Sequence, residues 1–218
     1  IMIISIEGNI GAGKSTILEH LKETYQNDPN VAFVDEPVDM WSGICDTSGE
    51  DILTKFYKEP SQYAFPFQVM AFATRIHKLR EAQQEKPTAK ILICERSLEA
   101  DCNIFAKMLY DDGLLESIQY AIYKQFYEIY CNDVEHIGII HVDACPIKCF
   151  ERIQIRNRTG EDKITQDYIN KCHEYHKEWL GKADLKPELL HIDTTPEKTD
   201  EIMNQWKSQI DTYLKQYM

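Results

Sequence analysis

A glycine-rich segment near the start of the sequence, Gly8–Thr16, has the spacing G-x-x-x-x-G-K-[ST] of a phosphate-binding loop. The apolar stretch Met2–Ile6 before it predicts a buried parallel strand, and the stretch that begins at Ile17 predicts an amphipathic helix. In this context glycines let backbone N–H groups close around phosphate oxygens at a helix N-terminus. We expect Lys14 to reach the β- and γ-phosphates and the hydroxyl of Ser15 to bind Mg²⁺. The predicted phosphate-binding residues are Gly8, Asn9, Ile10, Gly11, Ala12, Gly13, Lys14, Ser15 and Thr16.

Acidic side chains stand at the ends of two further predicted strands, in the segments Asp35–Val38 and Cys94–Ser97. A glutamate at a strand end is often only a solvated terminus, but ligands of open α/β sheets bind outside the carboxyl ends of the strands. Phosphoryl transfer needs a phosphate cradle, a metal, a group that orients the nucleophile, and cations. The candidate catalytic residues are Glu36, Arg96, Lys14 and Glu95, with Ser15 and Glu95 as metal ligands.

Three arginines, Arg152, Arg156 and Arg158, follow one another on a predicted helix and the polar connection after it. Arginines in such a segment can close over the phosphates of a nucleotide as a lid, here at about residues 152–163. The alternative is that they are cations favoured by the negative end of the helix dipole. The helix dipole accounts in part for Arg156 and Arg158 at the end of the helix. It does not explain why Arg152 lies one turn earlier on the same side of the helix.

The elements that must position these residues alternate between apolar, β-rich runs and helical patterns. The predicted strands are Met2–Glu7, Val31–Glu36, Lys90–Glu95, Ile137–Asp143 and Leu189–Asp193. The predicted helices are Lys14–Asn27, Pro60–Glu85, Leu98–Tyr110, Gly113–Tyr130, Ile147–Arg156, Thr165–Leu180 and Pro196–Tyr217. The alternation predicts an α/β fold of the P-loop NTPase type, a five-stranded parallel sheet flanked by helices. We expect N-caps at Ser97, at Thr165 and at Thr195, where Pro196 would open the last helix, and we expect Val38–Lys58 to be irregular.

Composition narrows the classes of partner. A chain of 218 residues that is 43% hydrophobic suits one domain, 1–218. A net charge of −12 argues against binding to a nucleic acid polymer, and the sequence has no apolar run that would span a membrane. Seven scattered cysteines predict reduced thiols in an intracellular and, in our interpretation, cytoplasmic protein. The pairs Cys145/Cys149 and His173/His176 lack further ligands at metal spacing, so we do not expect a metal there.

Taken together, the motifs resemble a known family over nearly the whole chain. They are I-E-G-N-I-G-A-G-K-S-T from Ile6, E-P-V from Glu36, F-Y-K-E-P from Phe56, the F-Q…R of Phe67, Gln68 and Arg75, E-R-S from Glu95, the D…F of Asp101 and Phe105, and the arginine segment that ends in Glu161. In this order they resemble the eukaryotic-type deoxynucleoside kinases, which include deoxycytidine, deoxyguanosine and insect multisubstrate kinases. The resemblance implies ATP-dependent phosphorylation of the 5′-hydroxyl of deoxynucleosides in nucleotide salvage, with ATP or another nucleoside triphosphate as donor, Mg²⁺, and a homodimer.

The resemblance also implies a role for each matching residue. Glu36 would accept or orient the proton of the 5′-hydroxyl, and Arg96 would hold that oxygen and neutralise the transferred phosphoryl group. Tyr57 and Glu161 would bind the 3′-hydroxyl, while Gln68 pairs with the base. The residues so assigned to the substrate are Glu36, Val38, Trp41, Leu53, Phe56, Tyr57, Phe67, Gln68, Ala71, Arg75, Arg96, Asp101, Phe105 and Glu161. The residues so assigned to the donor outside the phosphate loop are Arg152, Arg156, Arg158 and Glu197.

Base selectivity is expected to depend on Ala71, Arg75 and Asp101. Ala71 and Arg75 lie on one helix face, and Asp101 would pair with Arg75 across the pocket. The insect members that accept thymidine carry an apolar residue in place of each charge. A buried ion pair facing the thymine methyl would be poorly compensated, so we expect thymidine to be disfavoured. The order of cytosine, adenine and guanine stays open, and Phe56 stands where the deoxycytidine enzyme has Met.

Two other functions compete with this assignment. A nucleoside monophosphate kinase, such as thymidylate kinase, would need cations for the phosphate of its acceptor, whereas Glu36 repels a phosphate and suits a neutral hydroxyl. A non-catalytic relative of this fold, such as a structural subunit of mitochondrial complex I, would not need the set of Lys14, Ser15, Glu36, Glu95 and Arg96. The predicted helices Pro60–Glu85 and Gly113–Tyr130 are candidate dimer faces, although their apolar residues also suit an ordinary core.

Overall fold

Over residues 2–218, the part of the chain that the computed structural model describes, the fold is built on a five-stranded sheet. Ile1, with which the predicted domain begins, lies outside the described residues. The strands are β1 (Met2–Glu7), β2 (Val31–Val34), β3 (Ile91–Glu95), β4 (Glu135–Asp143) and β5 (Glu188–Asp193). Their order is β2-β3-β1-β4-β5, and all pairs are parallel. The predicted parallel α/β sheet is confirmed, with β1 at its centre.

Helices connect the strands and cover both faces. They are α1 (Lys14–Tyr25), α2 (Val38–Ser42), α3 (Ile52–Lys58), α4 (Pro60–Glu85), α5 (Leu98–Ala100), α6 (Lys107–Asp111), α7 (Ser117–Cys131), α8 (Pro146–Arg156), α9 (Gln166–Leu180) and α10 (Asp200–Leu214). A π-helical turn, Asp101–Ala106, joins α5 to α6, and a 3₁₀ turn covers Glu161–Lys163. The segment Val38–Lys58 is therefore less irregular than predicted, since it forms α2 and α3. The predicted helix Leu98–Tyr110 is continuous but contains the π turn.

The inner strands β1 and β3 are buried on both sides, which is why they read as continuous apolar runs, whereas the edge strand β5 is mostly exposed. Successive side chains of a strand point to opposite faces, and β1 follows this rule. Ile4 and Ile6 pack into a core with residues of α1, α8 and α10, whereas Ile3 packs on the other face with Phe72 of α4 and Tyr123 of α7. The central strand is thus fixed from both sides, and the loop that follows it rests on a rigid base.

Glycine is required at two points of that loop because of how closely it approaches its neighbours. Gly8 has φ 151°, and a Cβ there would lie 2.2 Å from the carbonyl oxygen of Val142. Gly11 has φ 79°, and a Cβ there would lie 2.4 Å from the carbonyl oxygen of Cys149. Any side chain at either position would push the loop away from β4 or α8, so the motif glycines set the position of the loop as well as its shape.

The predicted start of the last helix is wrong because of a contact with a distant part of the chain. The last helix is capped by Thr199, whose side chain accepts from the N–H of Ile202, and it begins at Asp200. It does not begin at Pro196, because the hydroxyl of Thr195 accepts instead from the N–H of Cys145 at 2.9 Å. Residues 194–199 are thereby held as a loop against the end of β4. The caps at Ser97 and Thr165 are confirmed, since both side chains accept from the third residue of the helix.

Strand β2 ends at Val34 instead of Glu36, so the carboxylate of Glu36 lies beyond the sheet. The carboxyl ends of the strands meet along one edge, where the phosphate loop, Glu36 and Glu95 come together. Among the helices of residues 2–218, none is both long enough and apolar enough to cross a membrane.

Candidate functional site

A cleft of about 580 Å³ lies at the carboxyl ends of the strands and collects most of the predicted site. Of the predicted site residues, Gly8, Asn9, Ala12 and Glu197 are the ones that do not line it. The first three act through the main chain, because their carbonyl oxygens accept from Arg96, Lys14 and Arg152 respectively. Glu197 is exposed on the loop after β5, and its neighbour Lys198 lines the cleft instead. One cavity therefore unites residues that lie far apart in the sequence.

The phosphate end of the cleft is formed by the glycine-rich loop and the start of α1. Lys14 Nζ donates to the carbonyl oxygen of Asn9 at 2.9 Å, so the lysine side chain folds back onto the main chain of the loop. Burial lowers the pKa of Lys14 to about 8, with a further lowering from Arg96. A buried ammonium with a lowered pKa gains from a nearby anion, so this end of the cleft favours phosphate.

Next to this lysine, Ser15 Oγ donates to Glu95 Oε1 at 3.1 Å. Burial raises the pKa of the Glu95 carboxyl, against the pull of Lys14. A hydroxyl and a carboxylate are hard oxygen donors, and Mg²⁺ is commonly held by one or two such groups together with waters and substrate phosphates. The donor set therefore fits Mg²⁺. Within residues 2–218 no group of three or more His, Cys, Asp or Glu side chains is placed to hold a metal ion.

Glu36 lies opposite the loop and is held by two arginines through a single oxygen. Its Oε1 accepts from Arg75 Nη2 at 2.7 Å and from Arg96 Nε at 3.2 Å. Burial acts to raise the pKa of Glu36, but the charges of Arg75 and Arg96 outweigh it and hold the pKa well below the ordinary range. In the described part of the chain no donor is bonded to Oε2, and 20% of the side chain is exposed. Glu36 is thus an ionised acceptor with one oxygen left for a ligand.

Arg96 occupies a strained position at the end of β3. Its φ is 70°, a value that residues other than glycine seldom adopt. The guanidinium donates through Nη2 to the carbonyl oxygen of Gly8 at 3.3 Å and lies 4.5 Å from the ring centroid of Phe105. Its Nη1 is buried without a partner. Strain of this kind persists where the surroundings enforce it, and here it holds the guanidinium between Glu36 and the main chain of the phosphate loop.

Aromatic side chains form the wall of the cleft away from the phosphate loop. Phe56 and Phe67 stack with centroids 4.8 Å apart and an interplanar angle of 15°, and Trp41 meets Phe67 edge-on at 5.3 Å. Tyr57 lines the cleft near Glu161, whose charge adds to burial in raising the pKa of the Tyr57 hydroxyl. This wall offers flat apolar faces to a planar ligand, with polar groups at one end.

At the deep end of the cleft, Arg75 is shared between two carboxylates. It pairs tightly with Glu36 and more loosely with Asp101, at 3.6 Å from Nε to Oδ1. Asp101 instead accepts a hydrogen bond of 2.7 Å from the hydroxyl of Tyr123, a residue that the sequence analysis does not identify. Gln68 Nε2 lies 3.4 Å from the carbonyl oxygen of Asp101, which belongs to the π turn. The predicted Arg75–Asp101 pair is therefore present, but it is the weaker of the two contacts of Arg75.

The three arginines of the predicted lid have different partners. Arg156 donates to both oxygens of Glu161, at 2.6 and 3.1 Å, and Arg158 lies 3.7 Å from the same carboxylate. Arg152 donates to the carbonyl oxygens of Thr194 at 2.6 Å and Ala12 at 3.3 Å. Arg152 thus ties the phosphate loop to the loop after β5, whereas Arg156 and Arg158 are joined to Glu161 at the aromatic end.

Several residues around the cleft are missing from the sequence analysis. Those that line it are Glu19, Asp35, Leu109, Tyr168 and Lys198. Behind it, the buried Glu7 accepts from the N–H of Ser97 at 2.7 Å and so braces the turn that carries Arg96. Thr194 follows β5 directly, and the strand-end rule would have found it. Tyr123 gives no such signal, because only the packing of α7 brings it to Asp101.

The chain is similar to known kinases over most of its length. The sequence model of the deoxynucleoside kinase family matches residues 4–211. Deoxycytidine kinase of Bos taurus is 32% identical over 236 residues, which covers 97% of this chain and 88% of that protein. Deoxycytidine kinase of Homo sapiens is 31% identical with the same coverage. Mitochondrial deoxyguanosine kinase of Xenopus laevis is 32% identical over 88% of this chain and 78% of that protein.

Proposed function

This chain belongs to the deoxynucleoside kinase family, and from that premise we propose that it transfers the γ-phosphoryl group of ATP to the 5′-hydroxyl of deoxycytidine or purine deoxynucleosides, with thymidine disfavoured. The observation that carries the proposal is Glu36, whose Oε1 is held by Arg75 and Arg96 at the acceptor end of the cleft. An ionised carboxylate with one oxygen left over accepts a hydrogen bond from a neutral hydroxyl and repels a phosphate. This favours a nucleoside over a nucleoside monophosphate as acceptor.

In the proposed reaction the protein acts mainly by positioning and by electrostatics. Glu36 orients the 5′-hydroxyl through Oε2 and receives its proton as the new bond to the γ-phosphorus forms and the bond from that phosphorus to the β,γ-bridging oxygen breaks, which releases ADP. Lys14 and the guanidinium of Arg96, which both line the cleft, bind the oxygens of the phosphoryl group on which negative charge spreads. Ser15 and Glu95 would hold Mg²⁺, which neutralises charge on the β- and γ-phosphates.

We assign the sugar to the end of the cleft lined by Tyr57 and Glu161. The carboxylate of Glu161 is only 4% exposed and is held by Arg156, so it presents a fixed acceptor to the 3′-hydroxyl. The ring of Tyr57 occupies the space beside it, which leaves little room for a 2′-hydroxyl. This arrangement supports a preference for deoxyribose.

We assign the base to the space between the aromatic wall and Gln68. Gln68 carries both a donor and an acceptor, as the edge of a nucleobase requires. Arg75 and Asp101 at the deep end are 6% and 2% exposed, so a thymine methyl would meet charged groups that have no access to water. This supports the proposed discrimination against thymidine.

We further propose a homodimer formed through α7. Four large apolar residues of this helix are each at least 38% exposed and recur at helical spacing: Ile118, Ile122, Phe126 and Ile129. Of the two candidate faces, α4 directs Phe67, Phe72 and Leu79 into the core, so α7 carries the unburied stripe. Phe126→Asp should shift the protein from dimer to monomer in analytical ultracentrifugation, while Lys186→Gln, at another exposed site, should leave the mass unchanged.

We also propose that residues 1–218 act as one kinase domain in a reducing intracellular compartment, the cytoplasm in our interpretation. All seven cysteines lie in the described part of the chain and are free thiols, four of them buried. Free thiols are typical of reducing compartments, which supports the assignment.

The test of the proposed function is steady-state phosphorylation of deoxycytidine, deoxyadenosine, deoxyguanosine and thymidine with ATP and Mg²⁺. We expect turnover with thymidine last in kcat/KM. Thymidine in first place would contradict the proposed role of Arg75 and Asp101. Turnover of thymidylate in place of all four nucleosides would instead establish a monophosphate kinase, and no turnover with any acceptor would favour a non-catalytic relative.

A further inference from the structure

Lys198 lines the same cleft as the phosphate loop, although it lies on the loop that follows β5. Its Nζ is 3.3 Å from the Oγ1 of Thr16, which is 182 residues away in the sequence. Thr16 directly follows Ser15 at the start of α1. The lysine therefore reaches the phosphate loop from the edge of the sheet opposite to β2.

The loop that carries Lys198 is fixed to the phosphate loop. Thr194 is buried, and its hydroxyl lies 2.8 Å from the carbonyl oxygen of Ala12 and 2.9 Å from that of Asp143. Arg152 adds a second connection, since it donates to the carbonyl oxygens of both Ala12 and Thr194. Lys198 thus starts from an anchored backbone, which holds its position relative to Thr16.

Lys198 lies close enough to Arg152 for the two positive charges to repel each other. Lys198 is largely exposed, but partial desolvation lowers its pKa, the charge of Arg152 lowers it further, and the charge of Glu19 opposes both effects. Among the described residues no carboxylate lies within 4 Å of either Lys198 Nζ or the guanidinium of Arg152. A bound anion would relieve this repulsion, and the neighbouring phosphate loop is where an anion is expected.

The strand order indicates which phosphate of the triphosphate lies beside Lys198. The acceptor residue Glu36 follows β2 at one edge of the sheet, the phosphate loop follows β1 in the centre, and Lys198 follows β5 at the other edge. The γ-phosphate must face Glu36, so the triphosphate extends from there across the loop towards β5. The phosphate farthest from the acceptor is the α-phosphate, which joins the nucleoside of the donor.

We propose that Lys198 binds a non-bridging oxygen of the α-phosphate of the nucleoside triphosphate donor, beside Thr16. The inference rests on the proposed kinase function and adds to it a binding residue for the donor. Lys14 and Arg96 then bind the γ-phosphate end of the triphosphate, which reacts, and Lys198 binds the α-phosphate end, which does not. Lys198 should therefore affect donor affinity and have little effect on the chemical step.

The experiment compares the wild type with Lys198→Gln, Lys198→Arg and the exposed control Lys186→Gln. With deoxycytidine and MgATP, Lys198→Gln should raise the KM for ATP about tenfold, the usual worth of a charge-assisted hydrogen bond. The kcat and the KM for deoxycytidine should stay within about twofold. Lys198→Arg should restore most of the donor affinity, and the control should match the wild type, as should the melting temperature of every variant.

The position of the contact is tested with the two diastereomers of ATP that carry sulfur in place of one α-phosphate oxygen. We expect the wild type to discriminate between the diastereomers in kcat/KM and Lys198→Gln to lose several-fold of that discrimination. If discrimination is unchanged while the preference among ATP, GTP and UTP shifts, the lysine contacts the base and the inference is wrong. An unchanged KM for ATP in Lys198→Gln also overturns it, whereas failure of the wild type with every deoxynucleoside would overturn the proposed function itself.

Discussion

Replacement of Glu36 by Gln is the perturbation that best isolates the proposed chemistry. The amide keeps an oxygen that accepts from Arg75 Nη2 and Arg96 Nε, the two donors now at 2.7 and 3.2 Å from Oε1. The shape of the site and its hydrogen bonds to the arginines are therefore retained. The variant loses the negative charge and the capacity to take the proton of the 5′-hydroxyl.

The expected loss follows from these two changes. A positioned general base contributes about 10²-fold or more, and at about 1.4 kcal/mol per factor of ten this is about 3 kcal/mol in the activation free energy. Because Arg75 and Arg96 hold the pKa of Glu36 below its ordinary range, the group is a weak base, and most of its effect lies in orienting the hydroxyl. We expect kcat to fall about 10²-fold and the affinity for deoxycytidine to stay within a few-fold.

The assay is steady-state phosphorylation of deoxycytidine at saturating MgATP, with deoxycytidine binding measured separately by calorimetry. The pH dependence of the free energy of unfolding gives a separate check that Glu36 is charged in the folded protein. Since the folded pKa of Glu36 is depressed, its contribution to stability is present above the ordinary carboxyl pKa and is lost as the pH falls towards the folded value. Glu36→Gln should therefore lose less stability than the wild type on acidification. Turnover near the wild-type value, with binding intact, would refute the assigned role.

Three further predictions concern the base, the sugar and the sheet. Arg75→Met combined with Asp101→Ala should raise the kcat/KM for thymidine relative to that for deoxycytidine, and an unchanged ratio would contradict the selectivity argument. Glu161→Gln should reduce the preference for 2′-deoxycytidine over 2′,3′-dideoxycytidine about tenfold, because the 3′-hydroxyl loses a charged acceptor; equal ratios in wild type and variant would remove Glu161 from the sugar site. Burial lowers the pKa of His141 to about 4, and Asp143 opposes this, so the stability that neutral His141 confers is present above about pH 6.5 and lost as the pH falls towards 4. In urea unfolding, the free energy of unfolding should fall from pH 7.5 to pH 5 by about 2 kcal/mol less in His141→Asn than in the wild type. An equal fall in the two proteins would contradict this prediction.

The sheet could be predicted from the sequence because its inner strands are largely apolar on both faces and its strands are separated by strong helical patterns. The bounds of β1 and α4 agree with prediction to the residue, since glycine follows β1 and proline opens α4. The phosphate loop could be found for a different reason: its spacing is imposed by the shape of a phosphate group. Local rules of this kind need no knowledge of the tertiary structure.

What escaped prediction depends on contacts between distant elements. Thr195 resembles a helix cap in the sequence, but in the fold its hydroxyl accepts a hydrogen bond from the N–H of Cys145, which lies between β4 and α8. Tyr123 has no mark of function in the sequence, yet its hydroxyl is the closest partner of Asp101. The family resemblance points to Glu197 and not to its neighbour Lys198, because the direction of a side chain in an irregular loop is set by the contacts that hold that loop.

The position of Arg75 connects substrate selection to catalysis. Its Nη2 holds Glu36 at 2.7 Å, and its Nε faces Asp101 at 3.6 Å in the part of the cleft assigned to the base. A change that opens the pocket to thymidine by removing Arg75 also removes one of the two donors that hold Glu36. Thymidine turnover gained in this way should therefore come with a lower kcat for every acceptor. Arg96 and Lys14 would remain as the cations that lower the pKa of Glu36. We therefore expect a variant that accepts more bases to have a lower kcat, because the guanidinium of Arg75 both lines the base pocket and holds Glu36.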